Sequence, residues 1–178
     1  EEFVQRHRDV LPNRLTGRDA LARFGTNGDP RLTISPDCVY KIRSRTEHYI
    51  YDNRRSQQFS ASRARAARTG QVDPLIEAGQ LMYASHWSYG QRCGLATIET
   101  DTLVNLIRQR GIKTGLFGAR LSDTGAGGTV VVLMRDDDRA ADALALVLQA
   151  YRAKTSLEPD VCYGDGQGAE SLGIERFG

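Results

Sequence analysis

Glycines and hydroxyl side chains concentrate in one stretch of the chain, FGARLSDTGAGGTVVVLM, from Phe117 to Met134. Gly118, Gly125, Gly127 and Gly128 lie there, with Ser122, Asp123, Thr124 and Thr129 among them. Lacking a Cβ, glycine lets backbone N–H groups approach an anion or a sugar closely, so the segment could line a ligand site. A glycine-rich hairpin needed only for its geometry accounts for the same spacing. The pattern is not a Walker loop, because no G-x-x-x-x-G-K-S/T occurs in the chain. It is not a dinucleotide fingerprint either, since GAGG leads into a second apolar run and not into a helix.

Other groups with chemical potential are more dispersed. Ser85-His86-Trp87-Ser88 places two hydroxyls beside an imidazole, but no G-x-S-x-G elbow accompanies it. On a helix His86 shares a side with Met82, which favours a packed, hydrogen-bonded histidine. Arg54, Arg55, Arg63, Arg65 and Arg68 could mark an anion site; a solvated helix face explains them more simply. Acidic residues are plentiful, yet none forms an evident catalytic pair. A net charge of +2 argues against wholesale binding to nucleic acid or to an anionic membrane. No apolar run approaches the roughly 20 residues of a membrane span, and no signal-peptide pattern opens the chain. Cys38, Cys93 and Cys162 are odd in number and far apart, and neither they nor His7, His48 and His86 have zinc-site spacing. Free, buried cysteines in a reducing cytoplasm are expected, with no metal.

These groups must be positioned by a small set of elements. Arg18 to Phe24 reads as a short helix closed by Gly25. Cys38 to Ser44 reads as a strand, mainly on its β-favouring Val39, Tyr40 and Ile42. A long polar helix is expected from about Glu47 to Arg68, with Ile50, Phe59, Ala61 and Ala64 on its inner face. A second helix starts at Asp73-Pro74, a capping residue followed by proline, and sets Leu75, Ala78, Met82 and His86 on one side. A third, from about Ile98 to Arg110, has Glu99 and Asp101 in its first turn, Arg108 and Arg110 in its last, and Gly111 as its stop. Gly115–Leu121 and Thr129–Met134 read as strands around the glycines. VVVLM, apolar throughout, suggests a strand buried on both faces in mid-sheet. A helix follows to about Ala153, with Leu144, Val147, Leu148 and Tyr151 as its packing stripe, and Val161 to Tyr163 reads as a last short strand. The expected class is α+β: a mainly antiparallel sheet with helices packed on one face, ferredoxin-like from Ile98 onward.

Several segments, in order, resemble the C-terminal half of GHMP-family sugar kinases, galactokinases and L-arabinokinases among them. Ser85-His86-Trp87-Ser88 is similar to the family's Ser-His-x-Ser stretch, and Glu99 to Val104 to its Glu-x-Asp-x-Leu-Val helix. Gly118 through Gly128 resembles its Gly-Ala-Arg-Met-Thr-Gly-Gly-Gly-Phe-Gly-Gly segment. Upstream, Arg45, His48 and Arg55 match an Arg-x-x-His-x-x-x-Glu-x-x-Arg helix, with Asp52 in the glutamate's place. The lead-in CVYKIRSRTEHYIYDN and the stretch Ser88 to Leu95 look most like L-arabinokinases. Together the likeness runs from about Val39 to Tyr163. The chain departs from the pattern at Ser122-Asp123-Thr124, where the family has Thr-Gly-Gly or Thr-Gly-Ala.

The resemblance implies a ferredoxin-like C-terminal domain over residues 1–178. It would close one wall of the cleft of an ATP- and Mg2+-dependent kinase that phosphorylates a monosaccharide hydroxyl. Ser122, Thr124, Gly125, Gly127 and Gly128 would face that substrate. The family's phosphate loop and catalytic aspartate lie in an N-terminal domain, and no counterpart of either is found here. Glu1 in place of Met fits a fragment of such an enzyme, inactive alone. Another reading is a stand-alone α+β ligand-binding or regulatory module derived from the same fold.

Overall fold

The computed structural model of the chain describes residues 2–25, 33–122 and 128–163. Helices dominate them. Helix α1 (Glu2–His7) leads to strand β1 (Leu15–Thr16), helix α2 (Gly17–Phe24) and strand β2 (Val39–Tyr40). Helices α3 (Ile42–Thr69) and α4 (Asp73–Ser88) follow, and a π-helical turn, Tyr89–Cys93, extends α4. Helix α5 (Ile98–Arg110) and a 3-10 turn precede strands β3 (Leu116–Leu121) and β4 (Val130–Met134), and helix α6 (Asp138–Thr155) completes the order.

Each long helix has a local cause. The α3 helix stops at Gly70, whose φ of 67° returns its N–H to Ala66 O. Pro74 occupies the first turn of α4, where its missing N–H is no loss. A capping box joins Thr97 and Thr100 at the start of α5. At the start of α6 the Asp137 side chain accepts from Ala140 N at 2.8 Å.

The strands form two antiparallel pairs, β1–β2 and β3–β4. In the second, Ala119 faces Val132 and Leu121 faces Val130, with a register irregularity between Leu116 and Gly118. This overturns the mainly antiparallel ferredoxin-like sheet expected from the sequence: the described residues are mainly helical, with two small two-stranded sheets. Three segments account for the difference. Ile42 already belongs to α3, and Val39 is exposed, so the Cys38–Ser44 strand shrinks to two residues. Polar groups there serve a helix start: Arg43 Nε and Nη2 donate to Leu11 O at 3.0 and 2.8 Å, and Ser44 Oγ donates to Arg92 O at 2.8 Å. Val161 to Tyr163 are exposed and outside any strand. VVVLM pairs with β3 alone among the described residues, and Val131 is 49% exposed, so it is no mid-sheet strand. No helix among the described residues is long and apolar enough to cross a membrane.

The core gathers Tyr83 from α4, Val104, Leu106 and Ile107 from α5, Leu116 and Ala119 from β3, and Ala143, Leu144, Val147 and Tyr151 from α6. The expected stripe of α6 is therefore the packed one. Helix α4 meets β3 backbone to backbone. A Cβ on Gly79 would lie 2.0 Å from Phe117 O, and one on Gly118 would lie 2.4 Å from Gly79 Cα. Gly118 is thus a packing residue inside a strand, separate from the loop glycines.

Candidate active-site wall

The close approach at Gly79 and Gly118 brings the middle of α3, the second half of α4 and the end of β3 around one cavity of about 350 Å3. Its lining includes Asp52, Arg55, Ser56, Phe59 and Ser60 of α3. They recur at the three- and four-residue steps of one helical face. Helix α4 adds Leu81, Met82 and Ser85, and the hairpin adds Arg120, Ser122 and Val131.

Asp52 sits between two guanidiniums. Arg55 Nη1 donates to its Oδ1 at 3.4 Å, and Arg120 Nη1 lies 3.8 Å from its Oδ2. All three side chains are mostly buried, so their charges act in a low dielectric, where pairing matters more than at a surface. Arg120 Nε also donates to Leu121 O at 3.0 Å, tying the guanidinium to the end of β3. Ser85 is 3% exposed, and its Oγ has no hydrogen-bond partner.

Two buried histidines flank this cluster. His86 Nδ1 accepts from Leu121 N at 3.3 Å, which leaves the proton on Nε2, 3.0 Å from Asp101 Oδ1. Burial pushes its pKa below the usual 6.5, against the opposing pull of Asp101. His48 Nδ1 lies 3.0 Å from Ser88 Oγ, with Tyr89 edge-on to its ring. Burial lowers its pKa too, with Asp52 opposing. Ser88 is fully buried, so this Ser–His pair is sealed from any substrate and is structural. Nearby, the buried Glu47 takes an ion pair from Arg92, and Arg8 Nε lies 3.4 Å from its other oxygen without hydrogen-bond geometry.

The sequence-derived site residues divide in two. Ser122 lines the cavity, and its N–H donates to Thr129 O at 2.9 Å, closing the hairpin just beyond the paired strands. Gly128 has a φ of 70° and open space around the position of a Cβ. Thr124, Gly125 and Gly127, with Asp123, lie outside the described residues. His86 is the packed, hydrogen-bonded histidine its spacing suggested. Other expectations are corrected. Ala61 and Ala64 are exposed, and α3 instead buries Glu47, His48, Ser62 and Ala66. Arg55 is turned inward, away from the solvated set of Arg54, Arg63, Arg65 and Arg68. Of the cysteines, only Cys93 is buried; Cys38 and Cys162 are exposed.

The sequence motifs named Ser85 and Asp52, but sequence reasoning did not single out Arg120, the lack of a partner at the Ser85 hydroxyl, or Ser56 and Ser60 on the face of Asp52. The face was legible as a helical repeat, but its polarity concealed it. Asp52 is the one carboxylate among the described cavity-lining residues, and it is committed to two guanidiniums. The described residues also contain no cluster of three or more His, Cys, Asp or Glu placed to hold a metal ion. The donor set here does not by itself fit ATP–Mg2+.

Residues 73–153 match the family described as GHMP kinases C terminal, and the chain belongs to that family. The matched span runs from the start of α4 into α6 and includes both walls of the hairpin. The chain is 30% identical to L-arabinokinase of Arabidopsis thaliana over 98% of its own length and 17% of that protein. It is 35% identical to a galactokinase of Chloroflexus aurantiacus, over 65% of this chain and 27% of the relative. A Clostridium beijerinckii galactokinase is 31% identical over the same shares. The chain thus spans less than a third of the length of these relatives.

Proposed function

We propose that the chain forms the substrate-cleft wall of an ATP-dependent sugar kinase of the galactokinase and L-arabinokinase kind. In this reading Ser122, Thr124, Gly125, Gly127 and Gly128 face the monosaccharide. ATP and Mg2+ are held by a domain outside this chain, in a cytoplasmic enzyme. The observation that carries the reading, beside the family membership, is the position of Ser122. It stands at the end of β3, on the cavity and at the foot of the glycine segment, with its backbone bonded across to Thr129. Such a hairpin end can present backbone N–H groups and a hydroxyl to a ligand without distorting the sheet.

Phosphoryl transfer depends on positioning and on neutralising phosphate charge, and the described residues hold no cluster of three or more His, Cys, Asp or Glu placed for a metal ion. Phosphorylation of galactose and L-arabinose should therefore be undetectable with this chain alone. It should appear with a longer chain that includes the preceding coding sequence. Turnover by the 178-residue chain by itself would refute the division of labour between two domains.

A further inference from the structure

Helix α4 and strand β3 lie side by side and are pinned together at two points. At one, the backbones of Gly79 and Gly118 touch, so that a Cβ on Gly118 would lie 2.4 Å from Gly79 Cα. At the other, His86 Nδ1 accepts from Leu121 N at 3.3 Å. The pins match in step, since the seven residues from Gly79 to His86 advance a helix by about 10 Å and the three from Gly118 to Leu121 advance a strand by about 10 Å. Seven residues are also close to two helical turns, so Gly79 and His86 share the face of α4 that meets β3. Ser122 N–H donates to Thr129 O, toward the β4 side. Successive N–H groups along a strand point to opposite edges, so Leu121 N–H points away from β4, to an edge that no described strand covers. Leu121 is buried, and a buried amide needs an acceptor. The imidazole supplies it, and only a nitrogen without a proton can do so. Asp101 Oδ1, 3.0 Å from Nε2, keeps the ring's proton on the opposite side. Burial disfavours the doubly protonated ring, with Arg120 of β3 adding to that effect and Asp101 of α5 opposing it.

We propose that His86 is the positioning residue of the hairpin end: its Nδ1 seats the last amide of β3 against α4, and Asp101 keeps that nitrogen free to accept. Ser122, one residue further on, thereby holds its place on the cavity. The relay joins three elements, with Asp101 on α5, His86 on α4 and Leu121 on β3. A histidine retained only to fill space needs neither an acceptor aimed at a strand edge nor a carboxylate at its other nitrogen. The consequence for sugar affinity rests on the reading that Ser122 faces the monosaccharide. The seating of Leu121 does not, so its test needs no phosphoryl transfer.

Two isosteres separate the roles of the ring nitrogens. The side-chain amide of asparagine reaches the place of Nδ1, and that of glutamine the place of Nε2. Amide hydrogen exchange of the 178-residue chain at pH 7.5 reads the seating directly. In His86→Gln the Leu121 amide should exchange about tenfold faster, the fold-change of one lost hydrogen bond, while Val147 in α6 keeps its rate. His86→Asn should restore protection of Leu121. If His86→Gln melts early, Asp101→Ala perturbs the same acceptor from a half-exposed position and should speed Leu121 about threefold. Nitrogen NMR of the unsubstituted chain should find the His86 proton on Nε2; a proton on Nδ1 would overturn the proposal. So would a Leu121 rate unchanged in His86→Gln and Asp101→Ala, or His86→Asn behaving as His86→Gln does. In a longer chain that includes the preceding coding sequence, His86→Gln should raise the KM for galactose or L-arabinose about fivefold with kcat retained, and His86→Asn should reverse it. Release of Leu121 with KM unchanged would overturn the positioning role. A longer chain that phosphorylates neither sugar would refute the kinase reading, and the exchange rates would then decide the seating by themselves.

Discussion

The two sides of β3 are built on opposite principles. Toward α5 and α6, Leu116 and Ala119 meet Val104, Ile107, Leu144 and Val147 in an apolar cluster. Toward α3 and α4, Gly118 lies against the backbone of Gly79, and Arg120 pairs with Asp52, with buried His48, His86 and Ser88 on the same side. Apolar packing supplies stability in proportion to area and tolerates many partners. Buried polar groups contribute less net energy, but each accepts few arrangements. The apolar side is the scaffold, and the polar side fixes where α3, α4 and the hairpin end stand relative to each other.

Damage should therefore be largest where packing is tightest. In Gly79→Ala the new Cβ meets the Phe117 carbonyl at 2.0 Å, and neither backbone can yield without displacing α4. A loss of about 3 kcal/mol is expected, at the upper end of the usual overpacking range. For a chain of this size that is roughly a 10 °C fall in the thermal midpoint. Ile107→Ala empties a fully buried position of the other side and should cost about 3 kcal/mol. Denaturant melts decide whether the two sides unfold together. A single transition in both variants makes them one cooperative unit; a biphasic melt in Gly79→Ala would separate the polar side from the scaffold.

Breaking the charge cluster comes next. Asp52→Asn leaves Arg55 and Arg120 side by side without their shared carboxylate and should cost about 2 kcal/mol, reduced by the solvent that still reaches the cavity. Arg55→Gln in the same background should cost less than it does alone, because the attraction to Asp52 that it removes has already been lost while the repulsion from Arg120 is still relieved. A double-mutant cycle measures that coupling. Equal costs in both backgrounds would mean that the three charges do not act as a cluster.

The scaffold was far more legible in the sequence than the site. Helices α4, α5 and α6 announce themselves through Pro74, the acidic first turn of α5, Gly111 and the Leu144–Val147–Tyr151 stripe, all local signals. The hairpin was legible from its glycines and flanking apolar runs. The size of the sheet was not, because VVVLM is as apolar as a central strand although Val131 faces the cavity and β4 has one described neighbour. Nor was the inner face of α3, where burial went to Glu47, His48 and Ser62, whose side chains each reach a partner on another element. The pairing of Asp52 with Arg120 joins residues distant in sequence, and periodicity within one element cannot reveal it.

Acid should act on the polar side through its two buried histidines. His48 and His86 both titrate below 6.5 in the fold because burial disfavours their charged forms. The unfolded chain then takes up protons that the folded chain resists. Their contribution is complete above about pH 6.5 and is lost as pH falls from there through the lower folded values. Urea melts between pH 7.5 and 5 should show falling stability, with a flatter slope in His48→Gln and in His86→Gln. An unchanged slope in both variants would assign acid sensitivity to other groups.

The smallest effect is the most informative about the cavity. Ser85 carries a buried hydroxyl with no partner in the protein, so Ser85→Ala removes a desolvated polar atom and should raise stability by about 0.5–1 kcal/mol. A packing role would give the opposite sign, since loss of the oxygen would then leave a small void. Stabilisation would mark Ser85 as a polar group that the fold retains at its own expense.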